Sequence, residues 1–134
     1  MSAEKVVGPP FVVRESVTMS RASALGPAEM LLLQQWGERI GEAFPPRFPY
    51  LVGSALHRPD FRDVDVRLML DDDEFEALTG GDRYRLRCLN LSFTLWGKLV
   101  TGLPIDFQFQ DTTKANAEHT GRRNALFVQA ERTR

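Results

Sequence analysis

Hydrophobic and polar positions recur along this chain with two different periods. From Pro27 to Phe44, Leu32, Trp36 and Ile40 repeat at i, i+4 and i+8, and Met30 and Leu33 widen the stripe. That spacing predicts an amphipathic helix, entered through Pro27 and ended by Gly41 and the pair Pro45-Pro46. Asp63 to Leu70 switches to a period of two: Val64, Val66, Leu68 and Leu70 are apolar, and Asp63, Asp65 and Arg67 are not. A strand with one buried face is predicted there. Ile105 to Gln110 repeats the pattern, with Ile105, Phe107 and Phe109 on one face and Asp106, Gln108 and Gln110 on the other.

Between these segments the signals are shorter. Phe48 to Val52 is aromatic and apolar and reads as a strand broken by Gly53-Ser54. A short helix is expected from Ser54 to about Arg58, halted by Pro59. Asp71-Asp72-Asp73 suits a helix N-terminus, and the helical turn it opens runs through Leu78 to Gly80-Gly81. Asp82 to about Val100 is a long helix. Leu89, Phe93, Trp96 and Val100 form one stripe; Tyr84, Cys88, Leu91, Leu95 and Leu99 extend it around much of the circumference. Such a helix is expected to be well buried, with Cys88 as packing and both tryptophans in the core. Residues 1–25, with Gly8-Pro9-Pro10 and a Ser/Ala stretch, read as an irregular N-terminal arm with at most one short strand. Residues 26–134 form one domain, with a short strand or helix at Ala125–Ala130 inside a polar tail. The order implies an α/β (α+β) fold: a small mixed sheet with helices packed on one face.

Composition narrows the function classes. The chain has 134 residues, 43% hydrophobic and 26% charged, within the ordinary range of one soluble domain. No apolar run approaches the roughly 18–20 residues of a membrane span, and Met1 to Val7 lacks the apolar core of a signal peptide. A cytoplasmic protein without a membrane partner is the expectation. One cysteine and two histidines exclude an internal disulfide and disfavour a nitrogen/sulfur metal cage; any metal is expected on oxygen ligands. The net charge of −1 provides no general drive toward nucleic acid. The charge is unevenly spread, with a balance of −6 from Asp60 to Glu76 and +3 from Lys114 to Arg134.

Candidate chemistry lies in that acidic centre. Asp63 and Asp65, two apart on a strand, share the face opposite the valines, and Asp106 lies opposite the apolar set of its own strand. If the strands are neighbours, three carboxylates converge. Two like charges near 4 Å cost roughly 4 kcal/mol at an effective dielectric of about 20, and a divalent cation, magnesium before others, is the usual compensation. Gly53-Ser54 follows a strand and precedes a helical turn, where backbone N–H groups bind phosphate oxygens and glycine permits close approach. Acids for metal and a Gly-Ser turn for phosphates imply a nucleoside triphosphate site. The plain alternatives are solvated strand aspartates, a solvated cap for Asp71-Asp72-Asp73, loop acids at Asp60 and Asp111, an exposed loop His57, and a solvated tail for Arg122, Arg123, Arg132 and Arg134. Arg58 is the better phosphate candidate near the turn. Arg67, on the face of the acids, is placed to pair with a carboxylate in place of a metal.

Gly53-Ser54, eight intervening residues, Asp63-Val64-Asp65-Val66, then Ile105-Asp106-Phe107 resembles the nucleotidyltransferase superfamily that includes DNA polymerase β, and the short chain resembles its minimal members. The resemblance spans about Phe48 to Gln110. It implies that Gly53 and Ser54 hold the triphosphate; Arg58 joins them as a nucleotide-binding candidate from its place near the turn, with surface charge as its plain alternative. It also implies that Asp63 and Asp65 bind two magnesium ions (manganese as a substitute), and that Asp106 completes the second metal site and helps activate the attacking hydroxyl. The implied reaction moves a nucleoside monophosphate from a triphosphate, ATP first among them, to a hydroxyl of a protein, an RNA or a small molecule, with pyrophosphate leaving. Two other functions stay open: the same fold without turnover, as an interaction module or accessory subunit, and a metal-dependent nuclease, against which the Gly-Ser turn speaks.

Overall fold

A computed structural model describes residues 24–118 and 123–126. Helix α1 (Pro27–Ala43) is followed by strand β1 (Tyr50–Val52), a single 3-10 turn at Gly53–Leu56, and strand β2 (Val64–Leu70). Helices α2 (Asp72–Thr79) and α3 (Arg83–Thr101) lead to strand β3 (Ile105–Asp111), helix α4 (Thr112–Glu118) and the two-residue strand β4 (Asn124–Ala125). The sheet order is β3-β2-β1-β4. β1 runs antiparallel to β2 and β4, and β2 runs parallel to β3. The expected α+β fold with a small mixed sheet is therefore present. The arm expected over residues 1–25 falls outside the described residues except at its end, where Leu25 is buried in the core and the Ala24 N–H donates to the Ala55 carbonyl at 2.8 Å.

The two-residue alternation of β2 and β3 sends Val64, Val66, Leu68, Ile105, Phe107 and Phe109 into one core. Trp36 and Ile40 of α1 close over it. Aromatic edges meet there: Trp36 contacts Phe107 at 5.9 Å between ring centroids, and Phe93 of α3 stacks on Phe107 at 5.1 Å. α1 and α3 touch at a glycine; a β-carbon at Gly97 would lie 2.6 Å from the Trp36 ring.

α3 departs from expectation. It is not well buried: Tyr84, Leu91, Leu95 and Leu99 are exposed, as is Cys88, and Trp96 is only partly covered. The reason lies in where the helix runs. β3 is an edge strand, and α3 lies along that edge. The Phe109 N–H donates to Asn90 Oδ1 at 2.9 Å and the Phe107 N–H to Thr94 Oγ1 at 2.9 Å. Those two side chains occupy donors that would otherwise invite another strand. Only the face that carries them, with Leu86, Leu89 and Phe93, meets the core.

Other local expectations divide. The aspartate run does open a helix: Asp71 precedes α2 and its N–H donates to Glu74 Oε1 at 3.0 Å. Asp111 is not a loop acid; it ends β3 and its carboxylate accepts from the Lys114 N–H at 2.6 Å, capping α4. α4 itself has no counterpart in the polar tail expected there. Arg123 is not solvated tail either, since Nη2 donates to Asn116 Oδ1 at 3.0 Å and Nη1 contacts Met69 Sδ at 3.3 Å. The element expected at Ala125–Ala130 appears as β4 over Asn124–Ala125, and residues 127–130 lie outside the described ones.

Candidate functional site

The face of the sheet opposite the core carries Asp65, Arg67 and Met69 of β2 beside Asp106, Gln108 and Gln110 of β3. At its far end Arg123 closes on Met69, and Thr112 at the start of α4 donates to the Leu70 carbonyl at 2.9 Å. The near end holds the acids.

Strand pairing assembles them. Val52, the last residue of β1, pairs with Asp65, and Asp65 pairs with Asp106. One row of the sheet thus runs from the start of the Gly53-Ser54 turn through two carboxylates. Asp63 stands just before β2 and is exposed, while Asp65 and Asp106 are half-buried. Each offers an oxygen, and the three oxygens lie within 4.8 Å of one another.

The turn is locked to the acids. Gly53 has φ +79°, a left-handed conformation that favours glycine. A β-carbon there would run into the Asp65 carboxylate. Gly53 is therefore required twice, by its backbone and by its neighbour. Ser54 opens the 3-10 turn, and its carbonyl accepts from the N–H groups of His57 and Arg58 at 3.0 and 2.9 Å. The Arg58 side chain turns to Asp60, with Nε 3.1 Å from Oδ1, and both are exposed. His57 is exposed, as its loop position suggested.

Arg67 is the residue whose weight exceeds its sequence signal. Its side chain is only 8% exposed. Nη1 donates to the Asp106 carbonyl at 2.6 Å and to the Val66 carbonyl at 3.1 Å. Nη2 lies 3.9 Å from Asp65 Oδ1 and 3.7 Å from Asp106 Oδ2. A buried guanidinium thus stands behind the carboxylates and offsets one of their three charges. Its place on the polar face followed from the alternation; its burial and its grip on the β3 backbone did not. The available signal was an arginine set between valine and leucine inside a seven-residue strand.

The residues fit a divalent cation. Three carboxylates and one guanidinium leave a formal charge of −2 at one spot, on oxygen donors of the kind magnesium takes. Opposite ligands on one magnesium lie about 4.2 Å apart for bonds of about 2.1 Å, and the three oxygens here lie within 4.8 Å of one another.

No family model, no curated protein and no solved structure matches this chain. Among the described residues no helix is long and apolar enough to cross a membrane.

Proposed function

We propose that this chain transfers a nucleoside monophosphate from a nucleoside triphosphate, ATP in the first instance, to an acceptor hydroxyl, with release of pyrophosphate. One observation carries the reading: the row Val52, Asp65, Asp106, in which the left-handed Gly53 turn packs against the Asp65 carboxylate and Asp65 pairs with Asp106 on the adjacent strand. Asp63, Asp65 and Asp106 would hold magnesium, which when bound neutralises phosphate charge and stabilises the attacking and leaving oxygens of an in-line displacement. The backbone N–H groups opening the Gly53–Leu56 turn have no partner within it and suit phosphate oxygens; the Ser54 hydroxyl adds a donor. Asp106 accepts the proton of the attacking hydroxyl at a carboxylate oxygen. Arg67 orients Asp65 and Asp106 from behind. The pyrophosphate leaves with the electron pair of the broken P–O bond.

The test is thermal melting with magnesium and each triphosphate, for wild type and Asp63→Asn, followed by transfer of label from α-labelled ATP. Ligand at about 100 times its dissociation constant adds roughly 2.7 kcal/mol, a rise of several degrees. A metal-dependent rise lost in Asp63→Asn supports the site; equal label transfer by wild type and variant refutes it.

A second reading is a nucleotidyltransferase-like module without turnover, acting through a partner. Arg67 favours it, because the guanidinium already compensates the acids at 3.7 and 3.9 Å. No melting response to any triphosphate would select it.

A further inference from the structure

Among the described residues, none covers a second apolar face of α3. Tyr84, Cys88, Leu91, Leu95 and Leu99 follow spacings of four, three, four and four, the rhythm of a helix–helix seam. At 100° per residue they fall within about 80° of the circumference. Their exposure is 63% for Tyr84, 56% for Leu91, 55% for Leu95 and 86% for Leu99. Isolated exposed leucines need no explanation, but a continuous stripe does.

The flanks of the stripe are cationic. Arg87 and Lys98 border it on one side and Arg85 on the other, all exposed. Arg83 stands at its N-terminal end, and the helix from Arg83 to Thr101 contains no acid. In a chain of net charge −1 this is a local concentration of one sign.

We propose that α3 is the docking surface for an acidic amphipathic helix of a partner protein. That helix would lay an apolar seam along Leu91, Leu95 and Leu99 and set carboxylates against Arg85, Arg87 and Lys98. Charge complementarity selects this occupant. A second copy of α3 is disfavoured: antiparallel pairing about Leu91 brings Lys98 beside Arg83 and Arg85 of the copy, and parallel pairing sets each arginine against itself. An anionic membrane surface suits the same charge, and vesicle binding separates it from a partner helix. The surface is separate from the acidic row and does not depend on the proposed activity.

The probes are two labelled helical peptides of about 20 residues with the same leucine seam, one flanked by glutamates and the other by lysines. They are titrated with the full chain and followed by fluorescence anisotropy. The expected result is binding of the glutamate peptide at least about tenfold tighter, a difference of about 1.4 kcal/mol, narrowing as salt is raised. Leu95→Glu should abolish binding, and Arg87→Glu should erode the preference. Leu99→Glu serves as a second variant, and unchanged melting shows that both leucine variants remain folded. Equal binding of the two peptides, or binding of neither, overturns the proposal. So does a wild-type dimer in sedimentation that Leu95→Glu dissolves, or Leu95-dependent binding to phosphatidylserine vesicles without peptide discrimination.

Discussion

Gly53→Ala tests the coupling between the turn and the acids. Two costs act at once. Alanine at φ +79° pays the left-handed penalty of about 1–2 kcal/mol. Its methyl group also meets Asp65, whose Cγ and Cβ lie 3.3 and 3.4 Å from the new carbon, with a carboxylate oxygen closer still. Relieving that overlap adds about 1–3 kcal/mol, so a total loss of about 2–5 kcal/mol is expected. Gly102 supplies the control. It has φ +72° and ends α3, and a β-carbon there would meet nothing within 4 Å. Gly102→Ala should therefore show the backbone penalty alone. Urea unfolding followed by tryptophan fluorescence reads both variants, and at about 4 °C per kcal/mol for a domain this size melting separates them as well. The overlap also turns the Asp65 carboxylate away from its position in the row, so Gly53→Ala should weaken manganese binding while Gly102→Ala leaves it unchanged. Equal stability losses in the two variants, or unaltered manganese affinity in Gly53→Ala, would refute the contact and the site built on it.

Three further outcomes are expected. Arg67→Met removes a guanidinium that is 8% exposed and should cost about 3 kcal/mol in metal-free buffer, with part restored by manganese; a loss below about 1 kcal/mol would show that the acids do not need it. Gly97→Ala gains helix propensity of about 1 kcal/mol. Its new carbon would nonetheless lie 2.6 and 2.7 Å from Trp36, which Trp96 and Phe107 hold in place, so overpacking of about 1–3 kcal/mol should leave a net loss; a higher melting temperature would contradict the packing. Glu74 is held below the ordinary carboxylate range by its hydrogen bond from Arg47, helped by the Asp71 N–H. A lowered acid contributes stability above its unfolded pKa and loses it as pH falls through the folded value. Arg47→Ala should therefore lower the urea midpoint at pH 7, and the difference from wild type should vanish near pH 2; an equal difference at both pH values would exclude the ion pair.

Much of the fold follows from local order in the chain. The alternation at 64–70 and 105–110 specified two strands and, with them, which face each aspartate occupies, because successive side chains of a strand point to opposite sides. The i, i+4 stripe from Leu32 to Ile40 specified α1, and Gly-Gly and Gly-Pro signals marked the ends of α2 and α3. Gly53-Ser54 was legible as a turn, since a break after an apolar run is a local event. Three matters needed the tertiary structure. The pairing of Asp65 with Asp106 depends on a parallel register spanning the residues between β2 and β3, and periodicity within one strand contains no register with another. The burial of Arg67 depends on the β3 backbone offering its carbonyl, a partner 39 residues away in the chain. The exposure of α3 departs from its periodicity for the same reason. Apolar periodicity shows which side chains can be buried, whereas the number of surfaces available to bury them is decided by the assembled sheet. Among the described residues the sheet ends at β3, α3 seals that edge with Asn90 and Thr94, and the other apolar face of α3 is exposed.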